Sequence, residues 1–261
     1  MRRRDILLAC SGALCLPMAA RAQVMDLNDA INKAGRQRML SQRMAKSYLA
    51  VGQAVEPELA DRTLAASMAL FDRQLVELKV YAPHADIKST YAQLEAAWGD
   101  YKMVLVGNKP DKPNAESVLT LSGRVLKLAN EGTLQLEKVS ARPVGKLVNV
   151  SGRQRMLSQR MASFYLSACW GVQVSTCTTE IAKARDEFIA AHALLKNAPE
   201  ATRAIKGELD LAEMQWTFFD NALRNVKPGA SDKRAMSEVF TASERILQVM
   251  DGVTGMYSKL G

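Results

Sequence analysis

Apolar residues along most of this chain recur every three to four positions, not every two, a pattern that predicts helices and no strands. Gly and Pro punctuate it. Helices are expected at about Asp26–Val51, Pro57–Tyr81, Ala85–Val106 and Asn114–Val139, followed by a short linker at Pro143 and Gly145. Four more follow: one to about Trp170, one ending before Pro199, one to Val226 before Pro228-Gly229, and one to about Tyr257. Pro57 suits a first helical turn, where its missing N–H costs nothing. Helices of ~24 residues are ~36 Å long, as in an up-down bundle.

The two sets of four are copies. The string Gly35-Arg36-Gln37-Arg38-Met39-Leu40-Ser41-Gln42-Arg43-Met44-Ala45 recurs letter for letter from Gly152 to Ala162, 117 positions later. Matches continue at nearly that offset through Asn32/Asn149, Tyr48/Tyr165, Phe71/Phe188, Trp98/Trp216, Thr120/Thr241 and Arg124/Arg245. An alignment that runs on over a hundred residues marks a duplicated module of small-domain length. The expected architecture is therefore all-α: a leader at 1–22, then two antiparallel four-helix modules at 23–142 and 143–261. Each bundle returns the chain to its starting end, and a linker of about six residues spans at most ~20 Å. The fifth helix should then lie beside the first and parallel to it, making an intramolecular pseudo-dimer with Arg38 facing Arg155. A homodimer that swaps first helices between chains is the competing arrangement.

On a helical wheel, Ile31, Ala34, Gln42, Ala45 and Leu49 fall within about 40° of Arg38. The second copy places Val148, Ser151, Gly152, Ser158, Gln159, Ala162 and Leu166 around Arg155. One arginine per copy thus sits inside a seam of apolar and small residues, while Arg36 and Arg43 point to the other side, towards solvent. A desolvated guanidinium requires an acid or a bound anion, and the string has neither Asp nor Glu. Two readings stand: Arg38 and Arg155 snorkel or pair with an acid elsewhere in the bundle, or they form an anion site suited to their planar fork.

The motif Asn-x-(Ala/Ser)-Gly-x-x-Arg-Met-x-Ser-x-Arg resembles the P-box of the periplasmic domains of NarX/NarQ-type nitrate and nitrite sensor kinases. Its fuller form, Ala-Gly-Arg-Gln-Arg-Met-Leu-Ser-Gln-Arg-Met, is similar to the N-terminal domain of PilJ-type methyl-accepting chemotaxis transducers. The resemblance covers nearly all of the chain after residue 22. It implies four-helix sensory bundles that pair through their first helices, with the arginine three positions after the glycine holding the anion from both sides. Those positions are Arg38 and Arg155; Gly35, Gly152, Met39, Met156, Arg43 and Arg160 match the rest of the ligand-binding motif. Where nitrate sensors carry a small residue after the glycine, this chain has Arg36 and Arg153, as PilJ-type domains do. The implied ligand is a small oxyanion, nitrate or nitrite first.

Composition and charge narrow the partners. Arg2, Arg3 and Arg4 precede an apolar run from Ile6 to Ala20, and Ala20-Arg21-Ala22 is an A-x-A cleavage signal, which predicts export to the periplasm by a twin-arginine-like or Sec route. The formal net charge is +8, and the leader holds four basic residues and one acid, leaving +5. That suits an anionic ligand but makes no basic stripe for nucleic acid. No later stretch reaches ~18 uninterrupted apolar residues, so no membrane span is expected there. The sensor kinases and transducers relay binding across the membrane. A membrane-bound kinase, chemoreceptor or transporter is therefore the expected partner, and the alternative is an interaction module that docks a receptor or pilus component without a small ligand.

Cys10 and Cys15 belong to the leader. Cys169 and Cys177, at the turn between the fifth and sixth helices, are candidates for a disulfide in an oxidising compartment. His84 and His192 are remote from them in sequence, so no metal site is expected. No Ser/His/Asp arrangement, carboxylate pair or phosphate-cradling loop argues for an enzyme, and no cofactor is implied. Trp98 with Tyr101, and Trp216 with Phe219, read as core anchors.

Overall fold

A computed structural model describes residues 23–224 and 227–260. Residues 1–22, the expected leader with Cys10 and Cys15, lie outside them. Among the described residues there are eight helices and no strand: α1 (Leu27–Gly52), α2 (Pro57–Tyr81), α3 (Ala85–Gly107), α4 (Lys112–Ser140), α5 (Pro143–Trp170), α6 (Val174–Asn197), α7 (Arg203–Arg224) and α8 (Lys233–Ser258). Local chemistry sets the starts. Asp26, Asp111 and Asp232 are N-caps whose carboxylates accept from Asp29 N, Asn114 N and Ala235 N at 2.8–3.1 Å. Proline opens α2 and α5.

The α4–α5 connection is tighter than the pattern suggested. Pro143 and Gly145 are not a linker; they lie in the first turn of α5, and only Ala141 and Arg142 separate it from α4. Ala141 takes a left-handed conformation (φ 48°) to make the turn. Gly145 is needed for close approach, because a Cβ there would sit 2.6 Å from Ser140 Oγ. The short turn delivers α5 directly against α1.

α1 and α5 form the centre of the molecule. α1 packs against α2, α4 and α5; α5 packs against α1, α6 and α8; α3 covers α4, and α7 covers α8. Chain neighbours run antiparallel, as the Lys33–Glu77 and Arg43–Ser67 pairs show for α1 and α2. α1 and α5 run parallel, with Arg155 Nη2 donating to Asn32 O near one end and Gln53 Nε2 donating to Leu166 O near the other. Both central helices are buried nearly all round, so their polar residues must bond internally. They do so in register. Gln37 and Gln154 donate to Phe71 O and Phe188 O, and Gln42 and Gln159 donate to Ser122 O and Ser243 O. Each outer layer repeats an aromatic cluster: Phe71 meets Trp98 at 4.3 Å with the rings tilted by 32°, and Phe188 stacks on Trp216 at 4.2 Å.

Two expectations are corrected. Arg36 and Arg43 do not point into solvent. α8 closes over that side of α1, and they bond Asp251 and Glu244 respectively. Cys169 and Cys177 are free and buried, not a disulfide. The Cys177 thiol turns to Val172 O at 3.7 Å, while Cys169 faces Tyr165 and the Lys227 backbone, and burial pushes its thiol up to about 11. Their reactivity is accordingly suppressed. Both thiols are expected to react with a thiol reagent only after unfolding, and a reductant to leave the melting temperature within ~1 °C; a loss of several degrees on reduction, the signature of a structural disulfide, would contradict this.

Candidate functional site at the α1–α5 crossing

The duplicated string places its two glycines at the crossing. A Cβ added to Gly35 would lie 3.2 Å from Arg38 Nη2, 3.5 Å from Arg155 Nη2 and 3.9 Å from the Gly152 Cα. The absence of side chains there lets two helix backbones approach and seats both guanidinium groups over the contact. Arg38 and Arg155 are fully buried. Each reaches across to the other copy: Arg38 Nη2 donates to Asn149 O and Arg155 Nη2 to Asn32 O, both at 3.2 Å.

The remaining partners differ. Arg155 Nη1 donates to the Asp251 carboxylate, which also accepts from Arg36 Nη2 at 2.9 Å. Arg38 Nη1 donates instead to the Asn130 amide oxygen at 2.9 Å, which also accepts from Arg153 Nη1 at 3.3 Å. Among the described residues, therefore, no carboxylate is bonded to Arg38. Burial, then the charges of Arg153 and Arg155, pull it down to about 9. Burial also lowers Arg155, to about 10, against the opposing attraction of Asp251. Among the described residues the Nε donors of both arginines have no hydrogen-bond partner. Two buried cations thus face each other with spare N–H groups, Arg155 paired with a carboxylate and Arg38 with a neutral amide.

The other motif residues divide. Met39 and Met156 are buried beside the arginines in sequence, and Met156 also lines a cleft of ≈ 390 Å³ between α4, α5 and α6. Arg43 and Arg160 are drawn elsewhere: Arg43 clamps Glu244, while Arg160 pairs with Glu180 at 2.9 Å and covers the Phe164 ring. The crossing thus brings together Gly35, Gly152, Arg38 and Arg155 but not the second arginine of each string.

A family model described as the type IV pili methyl-accepting chemotaxis transducer N-terminal domain, PilJ, matches residues 22–121 and again 139–251. The chain belongs to the PilJ family. The two matched stretches each begin just before a copy of the string, so the PilJ assignment and the internal repeat coincide. PilJ domains are sensory parts of chemotaxis transducers, which places this chain in signal transduction. No curated protein and no solved structure matches it significantly. Among the described residues no helix is long and apolar enough to cross a membrane.

Reading the string alone misses the residues that bind the PilJ arginines. Asn130 and Asp251 are 121 positions apart, the offset already carried by Thr120/Thr241 and Arg124/Arg245. Continuing that alignment by six positions pairs them, and among the described residues bonded to Arg38 and Arg155 this is the pair whose charge differs between the copies. Lys46 and Glu244 were also missed. Lys46 has a serine at its counterpart, Ser163, so the repeat gave no signal for a buried lysine.

Proposed function

We propose that this PilJ protein is an exported, periplasmic sensory component that captures a small oxyanion, nitrate or nitrite first, at the Arg38–Arg155 crossing. It reports occupancy to a separate membrane chemoreceptor, sensor kinase or transporter. On this reading the modules at 23–142 and 143–261 are the intramolecular counterpart of a sensor dimer, with α1 and α5 as the paired first helices. The observation that carries it is the meeting of two fully buried guanidinium groups from the duplicated string over paired glycines. An anion bound at the crossing against Arg38 would offset the repulsion between the two guanidinium groups with charge-assisted bonds, and the helices carrying them would settle into a different relative position, a population shift open to a partner. The reading calls for no catalysis.

Calorimetric titration tests it. Nitrate or nitrite is expected to bind the mature protein, with Arg38→Ala and Arg155→Ala weakening binding by about ten- to a hundredfold or more while helicity is kept. Unchanged binding in both variants would place any anion elsewhere.

A second reading, a docking module with no small ligand, is favoured by Leu211, Met214 and Phe218, an exposed apolar row at helical spacing on α7. Absence of binding by every small anion, with both arginine variants folded, would favour it.

A further inference from the structure

The two halves of the crossing are built on one plan but filled differently. Asp251 on α8 bridges Arg155 and Arg36, one arginine from each copy of the string. Its counterpart, Asn130 on α4, bridges Arg38 and Arg153, again one from each copy. The carboxylate of Asp251 is a planar oxyanion held between two guanidinium groups. It shows directly what this cradle accepts. Asn130 has the same shape, but its amide is neutral and offers one acceptor oxygen where a carboxylate offers two. Glu137 and Glu187 act on Arg38 only at a distance, and their charges do not offset its burial and the neighbouring arginines. Glu187 of α6 engages Arg153 through its Nε and Nη2 at the mouth of the cleft and is 38% exposed. Glu137 bonds the Asn149 side chain. Neither bonds Arg38.

Asn130 and Arg153 also line the cleft between α4, α5 and α6, with Lys127, Arg160 and Lys183 around it against Glu180 and Glu187. A solvent path with a mixed, net-basic lining therefore ends at the half whose bridging residue is the neutral Asn130 and not a carboxylate.

We propose that the site is asymmetric: one planar monoanion of nitrate or small-carboxylate type binds per chain, on the Asn130 side between Arg38 and Arg153, while Asp251 permanently fills the equivalent place between Arg155 and Arg36. The inference rests on the anion-binding reading above and deepens it. The ligand enters from the α4–α5–α6 cleft, displaces the Asn130 amide from the two arginines, and makes the second half resemble the first. The chain's own aspartate has taken the role of a second ligand.

The test is nitrate titration by calorimetry on the mature wild type, Asn130→Asp, Asp251→Asn and the double exchange, beside Arg153→Gln and Arg36→Gln. Wild type is expected to bind one nitrate. Asn130→Asp supplies the missing carboxylate and should weaken binding more than about a hundredfold by like-charge repulsion. The double exchange moves the amide-bridged cradle to the other half and should restore one nitrate per chain. Arg153→Gln should weaken binding by about ten- to a hundredfold and Arg36→Gln less than about threefold, a contrast that stands even if an Asn130 or Asp251 variant fails to fold. Equal effects of the two arginine variants, two nitrates on wild type, or wild-type affinity in folded Asn130→Asp would overturn the asymmetry and leave the anion-sensor reading intact. No binding to wild type would overturn both.

Discussion

Replacing Glu244 with glutamine is expected to cost about 3–5 kcal/mol of unfolding free energy, because it strands a buried ammonium. The Lys46 side chain is 0% exposed and its Nζ meets a Glu244 oxygen at 2.5 Å, Ser243 Oγ at 2.9 Å and the face of Phe240 at 4.2 Å. Arg43 grips the same carboxylate through Nε at 3.0 Å and Nη2 at 2.5 Å. This cluster fastens α8, from the second half of the chain, onto α1. Burial alone would raise the Glu244 carboxyl, but the charges of Lys46 and Arg43 outweigh it and hold the group down to about 2. A depressed folded value stabilises above the unfolded value near ~4.3, and that stability is lost as pH falls from there through the folded value. Urea unfolding of wild type and Glu244→Gln at pH 7 and pH 3 is the check: a large gap at pH 7 should narrow at pH 3. A difference below ~1 kcal/mol at pH 7 would make this an ordinary surface pair.

Truncating Phe71 or Phe188 should be comparably damaging. Phe71 and Phe188 are buried, each against a tryptophan of the neighbouring helix, and removing such a ring costs about 3–5 kcal/mol through lost burial and the cavity left behind. Their backbone carbonyls also accept from Gln37 and Gln154, so slackening α2 or α6 reaches the central helices. The control is Phe218, which is 66% exposed and should change stability by less than ~0.5 kcal/mol on truncation. Equal losses for Phe71→Ala and Phe218→Ala in thermal unfolding would contradict the packing described here.

Much of this architecture is legible in the residue pattern because it rests on local chemistry and on duplication. Pro57 at the head of α2 and the apolar periodicity place the helices, and the repeat separates Arg38 and Arg155 from the other arginines. Pro143 and Gly145 misled because both residues also serve inside a first helical turn: proline loses no bond there, and glycine clears space for Ser140. Arg36 and Arg43 were assigned to solvent because a helical wheel reports direction without saying how many neighbours surround a helix; α1 has no free side once α8 is in place. Asp251 and Asn130 are tertiary partners from distant helices, and only an alignment carried beyond the visible matches exposes their difference. The thiols of Cys169 and Cys177 are close in sequence but turn to different neighbours, which spacing does not encode.

The central proposal is that the Arg38–Arg155 crossing holds an anion, and thermal unfolding of the protein in millimolar nitrate, nitrite, sulfate and chloride tests it most directly. A ligand at a hundred times its dissociation constant adds about 2.7 kcal/mol, which raises the midpoint of a protein of this size by roughly 5–10 °C. The account predicts that rise for nitrate or nitrite over sulfate and chloride, and its disappearance in Arg38→Ala and Arg155→Ala. No rise with any anion, or the same rise in both variants, would contradict it.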